Sequence, residues 1–185
     1  RAFHALSDVE TPQGVMCLVE PRGWRLEDLL NADGPVIVLD GIQDPGNAGT
    51  IVRTAEAFGA AGAVFLKGSV NPFNPKVIRA SAGSLFRLPL VHGLESGDVL
   101  RNFIDRRIKM YAGVPFGTGA LSLPGIDLTG KCAFVIGNEG NGVGERVRSA
   151  AIPVTIPASG VESLNAAVAA AIFLYEFRRR RIQTA

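Results

Sequence analysis

The feature that most constrains this chain is a rhythm of short, continuous apolar runs separated by helical patterns. Residues 36–39, 63–66, 88–91, 109–112 and 133–136 read as strands, each bounded by Gly, Pro, Asp or Asn. The runs do not alternate apolar with polar residues, as a half-exposed strand would, so they read as strands covered on both faces. Helical stretches fall between and after them, at about 48–58, 74–82, 97–106, 144–150 and 163–180. This alternation predicts an α/β domain with a mostly parallel sheet flanked by helices. The 185 residues suffice for one such domain with a short appendage. Before Gly34 the pattern weakens to a turn at Thr11-Pro12-Gln13-Gly14, a short strand candidate at 15–19 and a helical piece near 26–30. That part reads as a linker or the remnant of another element.

Composition excludes several classes. With 47% hydrophobic and 19% charged residues, and 22 glycines spread along the chain, disorder is not expected. The net charge of +2 is too small to argue for nucleic acid alone. Its distribution is uneven, because Arg178-Arg179-Arg180-Arg181 stand together at one end. Arginines there either complement the dipole of a helix C-terminus or form a binding surface. Cys17 and Cys132 lie far apart with only His4 and His92 to assist them, so no disulfide framework and no metal site is expected. No run reaches transmembrane length and no charged-then-apolar leader opens the chain, which suggests a soluble, cytoplasmic protein with no membrane role. A first residue of Arg1 rather than Met suggests that an N-terminal portion has been cut away or left out.

Three loops carry the candidate chemistry. In Leu39 to Ala60 a glycine-rich loop joins a strand to a helix, the usual setting of a phosphate cradle. Gly41 and Gly46 have the separation of a Walker A loop, but Asn47-Ala48 follow where lysine is required. Gly41, Gly46 and Gly49 are also mis-spaced for a dinucleotide fingerprint. What remains is Asn47 as the expected N-cap and Arg53 one turn beyond Gly49, where close backbone approach beside a guanidinium would suit an anionic or polar ligand. Alternatively, Asn47 only caps and Arg53 pairs with Glu56. The second loop is Gly137-Asn138-Glu139-Gly140-Asn141-Gly142-Val143-Gly144, where one acid among glycines suits a cationic or hydroxyl-bearing partner, or simply a tight turn. The third runs from Ile156-Pro157 through Ser163-Leu164-Asn165 into an alanine-rich helix. Small residues there favour a close helix–helix contact, within the fold or between subunits. Ser163 is the candidate N-cap, and Asn165 suits a first helical turn poorly unless its amide is used.

Taken together, these loops resemble the three motifs of the SpoU-type (TrmH-like) RNA ribose 2′-O-methyltransferases of the SPOUT superfamily. The matches are Asn47-x-Gly49-x-x-x-Arg53-x-Ala55, then Gly137-Asn138-Glu139-Gly140-x-Gly142, then Ile156-Pro157 followed by Ser163-Leu164-Asn165, in family order. Asp44-Pro45 and the stretch from Asn74 to Gly83 are also family-like, and the resemblance covers about 34–181.

The resemblance implies an α/β sheet with a C-terminal deep trefoil knot. It also implies S-adenosyl-L-methionine bound against Gly137, Asn138, Glu139, Ile156 and Leu164, with Gly113 and Val114 as further candidates. Asn47, Arg53, Glu139, Ser163 and Asn165 become the catalytic candidates, and Arg53, Arg79 and Ser81 the RNA contacts. A homodimer is implied, as is an RNA substrate, ribosomal RNA ahead of transfer RNA, with no metal. Residues 34–185 would form the catalytic domain and 1–33 the linker or remnant of an N-terminal RNA-binding domain. Methyl transfer to a ribose hydroxyl is largely a problem of positioning. Arginine stays protonated and is a poor base, so Arg53 is assigned phosphate binding and stabilisation of a developing alkoxide, with Glu139 orienting it. In that setting Arg178–Arg181 become candidate RNA contacts. The rivals are a nucleotide- or dinucleotide-binding enzyme, which lacks its key lysine and spacing here, and a non-catalytic RNA-binding module.

Overall fold

The structure is a computed structural model that describes residues 14–116 and 119–183. Its elements, in chain order, are α1 (Leu26–Asn31), β1 (Val36–Asp40), α2 (Pro45–Ala57), β2 (Gly62–Leu66), α3 (Pro75–Ala80), β3 (Leu90–Leu94), α4 (Ser96–Asp105), β4 (Lys109–Gly113), β5 (Leu121–Ser122), β6 (Cys132–Gly137), α5 (Glu145–Arg148), β7 (Ile152–Thr155) and α6 (Ala166–Gln183). The strands form one seven-stranded sheet in the order β3-β2-β1-β6-β4-β7-β5. Every pairing in it is parallel. The expected α/β class is therefore correct.

The continuous apolar runs have the anticipated cause. Ile37, Leu39, Phe65, Tyr111, Phe134, Ile136 and Val154 pack on one side with α2 and α6, through Ile51, Val52, Ala55, Ala170, Phe173 and Leu174. Val36, Val38, Val64, Met110, Ala112 and Val135 pack on the other with α1, α4 and α5, through Leu29, Leu30, Val99, Phe103 and Val147. Burying both faces lets a strand be apolar at every position. Helix α6 packs against α2, β6 and the 3-10 turn Leu123–Gly125, contacts in keeping with a threaded C-terminal segment.

Some expectations need correction. Strands β5 and β7 were not anticipated; β7 contains Pro153, which argues against a strand, and β5 is a two-residue exposed edge. Strand β3 begins at Leu90, later than expected, because Pro89 cannot donate to the ladder, and its exposed His92-Gly93 fit an edge. Residues 15–19 form no strand and are exposed. Helix α1 is present and adds Leu26, Leu29 and Leu30 to the core. The turn at Thr11-Pro12-Gln13-Gly14 lies, apart from Gly14, outside the described residues.

Gly49 also has another purpose than ligand approach. A Cβ there would stand 2.5 Å from Ala80 Cβ, 2.6 Å from Val77 O and 2.9 Å from Ser81 N. The missing side chain lets α3 lie directly on α2. Gly49→Ala is expected to destabilise the fold by about 1–3 kcal/mol, the usual cost of overpacking. Urea unfolding measures this as a lower midpoint at unchanged slope, and an unchanged midpoint would refute the tight α2–α3 contact.

Candidate functional site

The first motif is built by a helix cap that differs from the expected one. Asp44, not Asn47, is the N-cap of α2, and its Oδ1 accepts from Asn47 N at 2.6 Å, with Pro45 next in the first turn. Asn47 thus stands inside the first turn with its own amide free for other partners. Its Nδ2 donates to Glu139 Oε1 at 2.5 Å, and its Oδ1 accepts from Asn165 Nδ2 at 3.0 Å. One side chain joins residues 92 and 118 positions downstream. Asn165 is itself the cap of α6, where its Oδ1 accepts from Ala167 N at 2.9 Å and Val168 N at 3.3 Å. Its amide is therefore fully used. Ser163, the expected cap, is exposed and does not cap the helix.

The glycine loop is a tight reversal at the end of β6. Asn138 and Gly142 exchange backbone hydrogen bonds of 3.0 and 2.8 Å. Gly142 is left-handed at φ 69, and a Cβ on Gly137 would lie 2.2 Å from Gly142 C. The Asn138 side chain builds the turn: Oδ1 accepts from Gly140 N and Asn141 N, and Nδ2 donates to Gly41 O at 2.9 Å. Asp40 Oδ2 accepts from Gly144 N at 2.8 Å, closing the loop's far side. Ser69 Oγ accepts from Gly41 N and donates to Leu39 O, tying in the loop after β2.

These loops enclose a cleft of about 760 Å³ at the C-terminal ends of β4, β6 and β7. Gly113, Val114, Gly137, Asn138, Glu139, Ile156 and Leu164, the residues expected to meet the cofactor, all line it, as do Ser163 and Asn165. The volume suits a nucleoside-sized ligand. Glu139 and Glu162 lie in the lining, and Arg148, its only basic residue among the described residues, is ion-paired with Glu145. That balance favours a ligand bearing positive charge over one bearing phosphates. Thr155, Phe116 and Arg148 were not anticipated. Thr155 was hidden because β7 was unrecognised. It is buried, and its Oγ1 has no hydrogen-bond partner among the described residues, which marks a place where a bound group can supply one.

Residues expected to face RNA divide into two sets. Arg53 and Arg79 are exposed on α2 and α3, which Gly49 brings together. Glu56 does not pair with Arg53; it binds Arg87 at 2.5 and 2.7 Å, and that guanidinium holds its carboxyl below the usual range. Glu139 bonds Asn47 rather than orienting Arg53. Ser81 is fully buried, its hydroxyl donating to Ile78 O, which leaves it no surface for RNA.

Three arginines of the basic tail and the alanines of the same helix make contacts within the fold, while Arg178 is exposed. Arg179 and Arg180 pair with Glu176, and Arg181 lies over the Phe177 ring. Ala166, Ala167 and Ala170 are buried in the chain's own core, so the small side chains there serve the α2–α6 contact. Cys132 is buried, which pushes its thiol up to about 12. Among the described residues no His, Cys, Asp or Glu cluster could hold a metal ion, and no helix is long and apolar enough to cross a membrane.

A strand-loop-helix sheet with this interlocked asparagine–glutamate site belongs to a defined class. The sequence model of the SpoU rRNA Methylase family matches residues 34–175, and the chain belongs to that family. It is 34% identical over 183 residues to the 23S rRNA (guanosine(2553)-2'-O)-methyltransferase RlmP of Bacillus subtilis, with 96% of this chain and 69% of that protein covered. It is 40% identical over 179 residues to an uncharacterized tRNA/rRNA methyltransferase of Synechocystis sp., covering 95% and 64%. In structure it is similar to the SpoU methyltransferase AviRb from Streptomyces viridochromogenes in complex with AdoMet, with a TM-score of 0.81 at 33% identity over 88% of this chain and 66% of that one. The chain thus spans roughly two thirds of the length of these relatives.

The cap assignments are testable. Asn165→Ala is expected to lower stability by about 1 kcal/mol, and Ser163→Ala to stay within about 0.5 kcal/mol of wild type. Equal losses in parallel denaturant titrations would contradict the placement of the cap at Asn165.

Proposed function

We propose that this chain is the catalytic part of an S-adenosyl-L-methionine-dependent methyltransferase that modifies a ribose 2′-hydroxyl of RNA, ribosomal RNA first. The observation that carries this reading is the hydrogen-bonded chain Asn165–Asn47–Glu139 at the rim of a cleft lined by every residue expected to meet the cofactor. The cofactor, when bound, would supply a sulfonium-activated methyl group for transfer to the ribose oxygen. The chain's own part is positional. The loops after β4, β6 and β7, which line the cleft, would hold the cofactor, with Glu139 and Glu162 favouring a cation over a phosphate. Asn47, fixed from both sides, holds Glu139 and the start of α6 in one arrangement. Such fixed geometry lowers the barrier by sparing reorganisation during reaction.

Arg53 stands on the exposed side of α2, with Lys76 and Arg79 on the neighbouring α3, also exposed. We assign these cations to the RNA backbone, with Arg53 also stabilising charge that develops on the ribose oxygen. A guanidinium remains protonated, so its contribution is electrostatic. Residues 34–185 are assigned as the catalytic domain, with α1 of the preceding segment packed into its core, and the rest of that segment as the linker or remnant of an N-terminal RNA-binding domain. The enzyme would work in the cytoplasm as a homodimer. Transfer RNA is the second reading, favoured by the tRNA/rRNA description of the Synechocystis relative.

Arg53→Ala is expected to abolish methylation while the calorimetric affinity for S-adenosyl-L-methionine stays within about threefold, the pattern of a lost transition-state interaction. Full turnover in that variant would remove Arg53 from the site. Mapping 2′-O-methylation in ribosomal and transfer RNA with and without the gene tests the substrate. Light scattering is expected to give twice the monomer mass at micromolar concentration; monomer mass there would refute the dimer.

A further inference from the structure

Within the arginine run at the end of α6, Arg180 is engaged in a way that neither the dipole nor an RNA surface explains. Arg180 Nη1 donates to Ile126 O at 2.6 Å, and Nη2 donates to Leu123 O at 3.0 Å and Pro124 O at 2.8 Å. Its Nε donates to Glu176 Oε1 at 2.7 Å, one turn earlier on the same helix. Glu176 also binds Arg179 through both oxygens, and these guanidiniums, Arg179 first, hold its carboxyl down at about 2. The carboxylate therefore stays charged through the physiological range and aims the Arg180 fork. A planar guanidinium can reach three carbonyls at once, which an ammonium on a flexible stem cannot do with the same geometry.

The carbonyls so gathered belong to the turn that directly follows β5. Strand β5 is two residues long and, among the described residues, pairs only with β7, Leu121 with Val154 and Ser122 with Thr155. A two-residue edge has too little pairing to hold itself. Its partners Val154 and Thr155 line the cleft, and Thr155 carries the unpaired buried hydroxyl. Without β5 in place, β7 becomes an open edge and the cleft loses the backing of that wall.

We propose that Arg180, aimed by Glu176, is a positioning residue for cofactor binding: it clamps the turn after β5 to α6 and thereby holds β5 against the cleft-lining strand β7. The proposal rests on the methyltransferase reading for the identity of the ligand, but the clamp itself does not depend on it. Arginines that look like a phosphate-binding tail act here on the cofactor side of the enzyme.

The test compares Arg180→Gln and Arg180→Lys with wild type in three measurements: calorimetric binding of S-adenosyl-L-methionine, limited chymotrypsin digestion, and the salt dependence of RNA binding. Arg180→Gln is expected to weaken cofactor binding about tenfold, in line with the loss of several charge-assisted hydrogen bonds. Arg180→Lys should fall in between, and chymotrypsin should cut faster after Leu121 in both. The salt slope of RNA binding should match wild type. Unchanged cofactor affinity and unchanged cleavage in a folded Arg180→Gln protein would overturn the proposal. So would intact cofactor binding with a salt slope shallower by about 0.7, the mark of one lost phosphate contact on a single strand. If Arg180→Gln does not fold, Arg180→Lys decides by the same readouts. If wild type binds no S-adenosyl-L-methionine, the methyltransferase reading fails, and the cleavage rate alone upholds or overturns the clamp.

Discussion

The site hangs from the C-terminal end of β1. There the Gly41 carbonyl accepts from Asn138, the Gly41 amide donates to Ser69, and the Asp40 carboxylate accepts from Gly144. Two adjacent residues thus hold the glycine loop after β6 and the loop after β2 against the central strand. The strand is immobile because both its faces are buried, so what it holds inherits that rigidity. The reversal that presents Glu139 depends on the Asn138 side chain reaching both its own turn and β1. Asn138 therefore shapes the cleft through the backbone it arranges, with its amide spent on that task.

The opening of α2 shows why a glycine-rich strand-to-helix loop need not hold phosphate. Such a loop binds anions when the first amides of the helix point into open space. Here Asp44 occupies that role from within the chain, its carboxylate accepting from Asn47 N. An acid at the cap already satisfies the amide and repels a phosphate. The same cap releases the Asn47 side chain, which can then bridge Glu139 and Asn165. What reads in sequence as a cap and a ligand cradle is in the structure a cap one turn earlier and a polar bridge.

Much of this was legible from residue order, for identifiable reasons. The central strands could be read because burial on both faces writes an unbroken apolar run. The residues expected on the cofactor side came from the family resemblance rather than from local pattern; Gly137 itself is required by the tight reversal, where a Cβ would meet Gly142. Strand β7 escaped because Pro153 and the exposed Ile152 conceal a strand whose pairing depends on non-local neighbours. Thr155 was hidden with it. Ser81, expected from the resemblance to meet RNA, is buried where α3 packs on Gly49, a non-local contact that residue order does not show. The partners of Glu56 and Glu139 were likewise beyond local reading, since the true ones lie 31 and 92 residues away.

Helix α6 joins these observations. Its first turn is tied to the site, because the Asn165 that caps it also donates to Asn47. Its middle is core, with Ala170, Phe173 and Leu174 buried, and Phe173 closes the floor beneath Gly113, whose Cβ position would lie 3.3 Å from the ring. Its last turns grip the turn after β5 through Arg180. A helix of 18 residues spans about 27 Å at 1.5 Å per residue, long enough to connect the substrate side of the site to the far edge of the sheet. The small side chains of its first half let it lie close on α2, so the helix carrying Arg53 and the helix carrying Asn165 are fixed relative to each other. The sequence signs of this role, alanines early and arginines late, suggest a dimer face and an RNA tail when read singly. Read as one packed element, they describe a brace that holds the cleft and α2 in a single geometry.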